Sequence, residues 1–215
     1  MALPIIFTWP VLDTAGISAL QNTAGAANLL INGTLAVSIN GSNEVIFNGI
    51  ARTVSLTSAN NLSARNFTVT GTLDGFVQAE TIAGPNANTV ETTKLFSSIT
   101  SVAVNGAVNQ VSVGSGSKGK TNWFNYNYQS IYSNLVVQVE RVATTINYTL
   151  EVTLDDVQTF SYENILTFSP IGALTGATTS QLGNYTVPTR YANITINSSD
   201  ATGNLIATFL QQGVR

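Results

Sequence analysis

The chain has no cysteine and no histidine. That removes disulfides, thiolate nucleophiles, Cys/His zinc sites and every mechanism that needs an imidazole base. Charge is scarce as well. Asp, Glu, Lys and Arg together make up 9% of the 215 residues, against about a quarter in ordinary soluble chains. The eight Lys and Arg are scattered and the formal net charge is −3, so no basic patch exists to neutralise phosphates and direct nucleic-acid binding is not expected. No apolar run reaches the roughly 18 residues of a spanning helix, and no membrane partner is expected. Met1-Ala2-Leu3-Pro4-Ile5-Ile6-Phe7 carries no basic residue ahead of its apolar ones, so no signal peptide is expected and synthesis is placed in the cytoplasm.

Polarity comes instead from Asn, Thr, Ser and Gln. Amide and hydroxyl groups can be buried against a neighbour without stripping water from many charges, which is expensive. High β propensity with little charge also favours self-association. An assembled protein, a homo-oligomer, is therefore expected.

The stretch Gly114-Ser115-Gly116-Ser117-Lys118-Gly119-Lys120-Thr121 fits the phosphate-loop pattern G-x-x-x-x-G-K-[ST] at every position. Such a loop needs a strand before it and a helix after it, whose N-terminus holds the phosphates. Val108, Val111 and Val113 supply the strand. The helix is missing, because Asn122-Trp123-Phe124-Asn125-Tyr126-Asn127-Tyr128 has strand composition and a period near two. The context favours a solvated Gly/Ser linker over residues 114–121, kept wet by Lys118 and Lys120. The expected architecture is all-β: two small β-sandwich domains, jelly-roll or immunoglobulin-like, over residues 1–113 and 122–215, joined by that linker.

Short strands with turn signals recur along both halves. Residues 3–9 read as a strand, and residues 13–28 as a loop or a short helix around Ile17–Gln21. Asn40-Gly41 marks a hairpin between Thr34–Ile39 and Glu44–Phe47. Arg52–Thr57, Asn66–Thr70, Phe76–Ile82, Thr89–Phe96, Ile99–Val104 and Val108–Val113 follow, with turns expected at Gly71–Gly75 and Gly84-Pro85-Asn86. In the second half Leu135–Arg141, Tyr185–Val187, Tyr191–Ile196 and Leu205–Leu210 read as strands. Asn147–Leu154 alternates, with Tyr148, Leu150, Val152 and Leu154 expected on the buried face.

Few residues carry chemistry. Glu151, Asp155, Asp156 and Glu163 are the acidic concentration. Paired carboxylates can cleave a glycoside, or with backbone oxygens bind calcium. Their spacing matches no calcium loop, and a solvated strand end explains them. The serines have no histidine to activate them and no G-x-S-x-G elbow. Trp123, Phe124, Tyr126, Tyr128 and Tyr132 form the aromatic concentration. Phe124, Tyr126 and Tyr128 would share one face of a strand with Trp123 on the other, one set in the core and the other a possible partner interface. No catalytic residue, cofactor or metal ligand is assigned, and an enzyme is not expected.

Three segments carry a resemblance: Asn66-Phe67-Thr68-Val69-Thr70-Gly71-Thr72, Glu80-Thr81-Ile82-Ala83-Gly84-Pro85-Asn86 and Phe96-Ser97-Ser98-Ile99-Thr100-Ser101-Val102. With residues 23–33 and 148–157 they resemble virion structural proteins of tailed bacteriophages. The resemblance implies a location in the virion, with the major capsid protein or other virion proteins as partners, and it carries over no catalytic residue. A head decoration (cement) protein that binds and stabilises the shell is the expected role. The alternative is a neck, collar or tail component, including a receptor-binding module. The chain lacks the collagen-like or coiled-coil stalk of a long fibre.

Overall fold

The computed structural model describes residues 4–126, 134–142, 145–160 and 164–211. Among these residues the chain is built from β-strands, with no α-helix, in antiparallel ladders. It forms two compact units, Leu12–Ser117 and Met1–Val11 together with Lys118–Arg215. The first strand, β1 (Ile5–Trp9), pairs inside the second of these units.

The unit Leu12–Ser117 contains β2 (Ser18–Thr23), β3 (Ala27–Asn28), β4 (Ala36–Ile39), β5 (Ser42–Ile46) and β6 (Ile50–Ser58). It continues with β7 (Asn66–Leu73), β8 (Phe76–Ala83), β9 (Thr89–Glu91), β10 (Ser98–Val104) and the start of β11 (Val108–Thr121). One sheet has the order β4-β5-β10-β7-β8, with β3 also on β10. Its inward side chains, Val45, Phe67, Val69, Leu73, Ile99 and Val102, are buried. The second ladder of the unit sets β11 beside β2 and β6, with β9 outside β6, and buries Val54, Leu56, Val108, Val111 and Val113. The result is sandwich-like: the first ladder buries one face, while β6 and the middle of β11 in the second are buried on both.

The hairpin signals act as expected. Asn40 (φ 50°) and Gly41 (φ 85°) both take left-handed backbone between Ile39 and its partner Ser42. That is the twist a two-residue hairpin needs. The next turn is narrower than the expected Gly71–Gly75. Asp74 (φ 51°) and Gly75 (φ 86°) alone make it, and β7 runs on through Gly71 and Thr72 to Leu73.

Two expectations fail here. Residues 17–21 are not helical: Ser18–Thr23 is a strand, paired with β11 through Ser18↔Val113, Gln21↔Val111 and Thr23↔Val108. Residues 114–121 are not a linker. They are the end of the fourteen-residue strand β11, and Ser115, Lys120 and Thr121 are buried. The chain changes units inside this strand.

The other unit contains β12 (Phe124–Asn125), β13 (Leu135–Arg141), β14 (Ile146–Thr153), β15 (Gln181–Tyr185), β16 (Tyr191–Ser199) and β17 (Leu205–Gln211). One sheet has the order β1-β17-β13-β15. The facing ladder is made by β12, β16 and β14, with Gly119 and Lys120 of β11 paired to Ile196 and Thr195 of β16. Phe209 on β17 ties the two layers together. Its ring stacks on Phe124 of β12 at 5.2 Å and stands edge-on to Phe7 of β1 at 5.8 Å. Tyr148, Leu150 and Val152 are buried as the alternation requires, while Leu154 lies past the end of β14 and is 68% exposed.

Candidate interaction surface

The phosphate-loop pattern lies within β11. There its backbone donors are spent on the protein. Ser117 donates its N–H and its hydroxyl to the Glu91 carboxylate at 3.0 Å, and the Thr53 hydroxyl donates to the same carboxylate at 2.9 Å. The buried Arg52 guanidinium donates to the Gly116 carbonyl at 3.0 and 3.2 Å. Burial lowers the Arg52 pKa to about 9 against the opposing pull of Glu91, which leaves it charged at neutral pH. A carboxylate therefore occupies the amide donor a phosphate would need, and its charge would repel the ligand. Lys120, which a phosphate loop would aim at its ligand, is buried with its ammonium 4.9 Å above the Trp123 ring, a cation–π contact.

The acidic concentration is dispersed into structural roles. Glu151 accepts from the Thr195 hydroxyl at 2.9 Å. Asp155 accepts from the Leu166 amide at 2.7 Å. The Gln158 amide, followed by the Arg190 guanidinium at 2.9 Å, holds the Asp156 carboxyl below its ordinary value. Glu163 lies outside the described residues. The structure brings no two of the three described carboxylates onto a common partner.

Of the aromatic candidates, Phe124 and Tyr126 are buried in their own unit. Trp123 is half-buried beside β16, and its indole N–H finds no acceptor among the described residues. The neighbouring Asn193 is fully buried with neither amide atom partnered among the described residues. Tyr128 and Tyr132 lie outside the described residues.

One further surface stands out. It is the outer face of the sheet β4-β5-β10-β7-β8. Strand β7 sends Phe67, Val69 and Leu73 inward, so Thr68, Thr70 and Thr72 point outward. Register places Thr81, Ala79 and Val77 of β8 beside them, and Ala103, Ser101 and Ser98 of β10 on the other side. Farther across, Ser98 lies opposite Ile46 of β5, and Glu44 lies opposite Val37 of β4. Glu44 is the one charged side chain that the register puts on this face among the described residues. The hydroxyls hold one another: Thr68 to Thr81 at 2.8 Å and Thr72 to Ser98 at 2.7 Å, while Thr100 donates to the Thr70 carbonyl at 3.2 Å.

Pre-paired hydroxyls can be covered by a partner at small cost, because little hydrogen bonding to water is lost. The Thr-x-Thr-x-Thr run of residues 68–72 is the sequence signal that could have found this face. An open cleft of about 450 Å³ is lined by Asn28–Asn32, Gly41–Asn43, and Thr100 and Ser101 of β10.

On the inner side of β8, Glu80 anchors the segment that follows β9. Its carboxylate accepts from the Thr93 amide at 2.9 Å, the Thr93 hydroxyl at 2.6 Å and the Lys94 amide at 2.7 Å. Burial alone would raise this carboxyl. The Thr93 and Lys94 hydrogen bonds and the Lys94 charge outweigh it and hold the pKa below the ordinary 4.5. A lowered folded-state pKa contributes stability that is full above the unfolded value and is lost as pH falls through the folded one. Acid titration of stability should therefore fall more steeply below about pH 4.5 for the native chain than for Glu80→Gln. Parallel curves would remove this anchor from the account.

No protein-family model matches the chain, and no curated protein sequence matches it.

Proposed function

We propose that this chain is a non-enzymatic structural component of a tailed-bacteriophage particle, a head decoration protein that binds and stabilises the shell. The observation that carries the reading is the outer face of β4-β5-β10-β7-β8, rich in paired hydroxyls and bearing one carboxylate among the described residues. Three of the five segments that resemble phage virion proteins, residues 66–72, 80–86 and 96–102, build β7, the end of β8 and β10, the same part of the sheet. Such a face suits repeated docking on a lattice, where many copies each bury a modest area and the contacts add. The chemistry is binding alone: Glu151, Asp155 and Asp156 each hold a strand or a turn in place.

Cosedimentation of the purified chain with shells lacking it tests the reading. Saturable pelleting is expected, and Thr70→Asp, which sets a charge in the middle of the face, should weaken it at least about tenfold while leaving the melting temperature in place. No pelleting, or pelleting untouched by Thr70→Asp, would count against the face as the docking surface. The alternative, a neck, collar or tail part, shares the composition and differs in copy number.

A further inference from the structure

We propose that two copies of this chain pair edge to edge through β8, antiparallel about a two-fold axis at Ala79, and so extend one sheet across a dimer. Strand β8 ends the order β4-β5-β10-β7-β8 and pairs only with β7. The two-residue turn at Asp74-Gly75 fixes which of its groups are free. Phe76 and Leu73 close the hairpin as a hydrogen-bonded pair, so Gln78, Glu80 and Ile82 also bond inward to β7. The N–H and C=O groups of Val77, Ala79 and Thr81 then point away from β7. No described residue bonds them, and all three residues are exposed, Val77 at 80%.

Three other strand edges among the described residues are blunted. Isolated bridges from Phe168 and Ala177 cover β14, β1 is flanked by Pro4 and Pro10, and β4 has four residues against eight in β8. Within β8 there is no proline, no lysine and no bulge, three of the devices that keep an edge from pairing, and its one charged side chain, Glu80, is held by Thr93 and Lys94.

The occupant follows from the strand's own sequence. With the axis at Ala79, the two Ala79 residues exchange hydrogen bonds and Val77 pairs with Thr81. Gln78 then lies opposite Glu80, and Phe76 opposite Ile82. No like charges meet, and apolar faces apolar at both ends. Shifting the axis by one residue to Glu80 would set two carboxylates against each other, which disfavours that register.

The inference rests on the edge geometry and is independent of any particle. The test uses the full chain. Sedimentation should show a concentration-dependent dimer, and Ala79→Pro should give a monomer that melts with the native chain diluted below its dimer range, because the N–H it removes points away from β7. A chain monomeric at high micromolar concentration, or a dimer that survives Ala79→Pro, overturns the proposal.

A second variant reads the register without relying on a proline. The chain has no cysteine, so Ala79→Cys provides a single thiol. Hydrogen-bonded antiparallel partners stand about 5.5 Å apart at Cα, inside the roughly 4.4–6.8 Å range of a disulfide. Mild oxidation should cross-link Ala79→Cys into a covalent dimer and leave Val37→Cys, on the far edge strand, uncoupled. Equal cross-linking of the two, or none at Ala79→Cys, contradicts the pairing.

Discussion

Gly114→Val should destabilise the fold by about 3 kcal/mol or more, the upper end of what overpacking costs. A Cβ on Gly114 would stand 2.1 Å from the Asp13 carbonyl oxygen and 2.5 Å from the Thr14 Cα. Those are backbone atoms, so no side chain can swing aside to make room. The same contact holds β11 against the segment before β2: Ser115 donates its N–H to the Asp13 carbonyl at 2.9 Å, and its hydroxyl accepts the Asp13 N–H at 3.0 Å. A flexible linker predicts the opposite sign, since replacing glycine there lowers the entropy of the unfolded chain and is neutral or stabilising by about 0.4–1 kcal/mol. Urea denaturation of Gly114→Val beside Gly25→Ala, where the added Cβ meets nothing within 4 Å, decides between them. A large loss confined to Gly114 is expected. Equal, small effects would return the stretch to a linker.

Phe209→Ala should cost about 3–5 kcal/mol, the range for deleting a buried aromatic ring. Phe209 is 0% exposed and its ring touches both layers of its unit, stacked on Phe124 and edge-on to Phe7. Its truncation opens a cavity and leaves two rings without their partner. The neighbouring Leu210 points the other way and is 37% exposed, so Leu210→Ala should cost under about 1 kcal/mol. Thermal melts of the two variants check the pair, and similar losses at both positions would contradict the packing described.

Alternation between apolar and polar residues made most of the strands legible. Tyr148, Leu150 and Val152 are buried on β14, and Leu135–Arg141 is β13 residue for residue. Asn40-Gly41 marked its hairpin because few residues accept left-handed backbone twice in succession. The failures share one cause, partners far along the chain. Ser18–Thr23 is a strand because β11 lies beside it, some ninety residues on. The Gly/Ser run of β11 has no β-branched pattern until Thr121, and its small residues allow close backbone approach rather than flexibility.

The candidate surface was hidden for a related reason. Thr68, Thr70 and Thr72 were visible as the polar half of an alternation, but their neighbours on β8 and β10 were not. A hydroxyl ladder is a property of the register, not of one strand. Trp123, Phe124 and Tyr126 show the converse: aromatic clustering in sequence marked a place where the rings fill the unit's own interior or lie half-covered against it.

The proposed decoration role is tested most directly by the copy number of this chain in the phage particles to which the proposal assigns it, by quantitative mass spectrometry against the major shell protein. A lattice-decorating protein should be present in hundreds of copies, near the stoichiometry of the shell. Absence from the particles, or a dozen copies or fewer, would contradict the decoration reading.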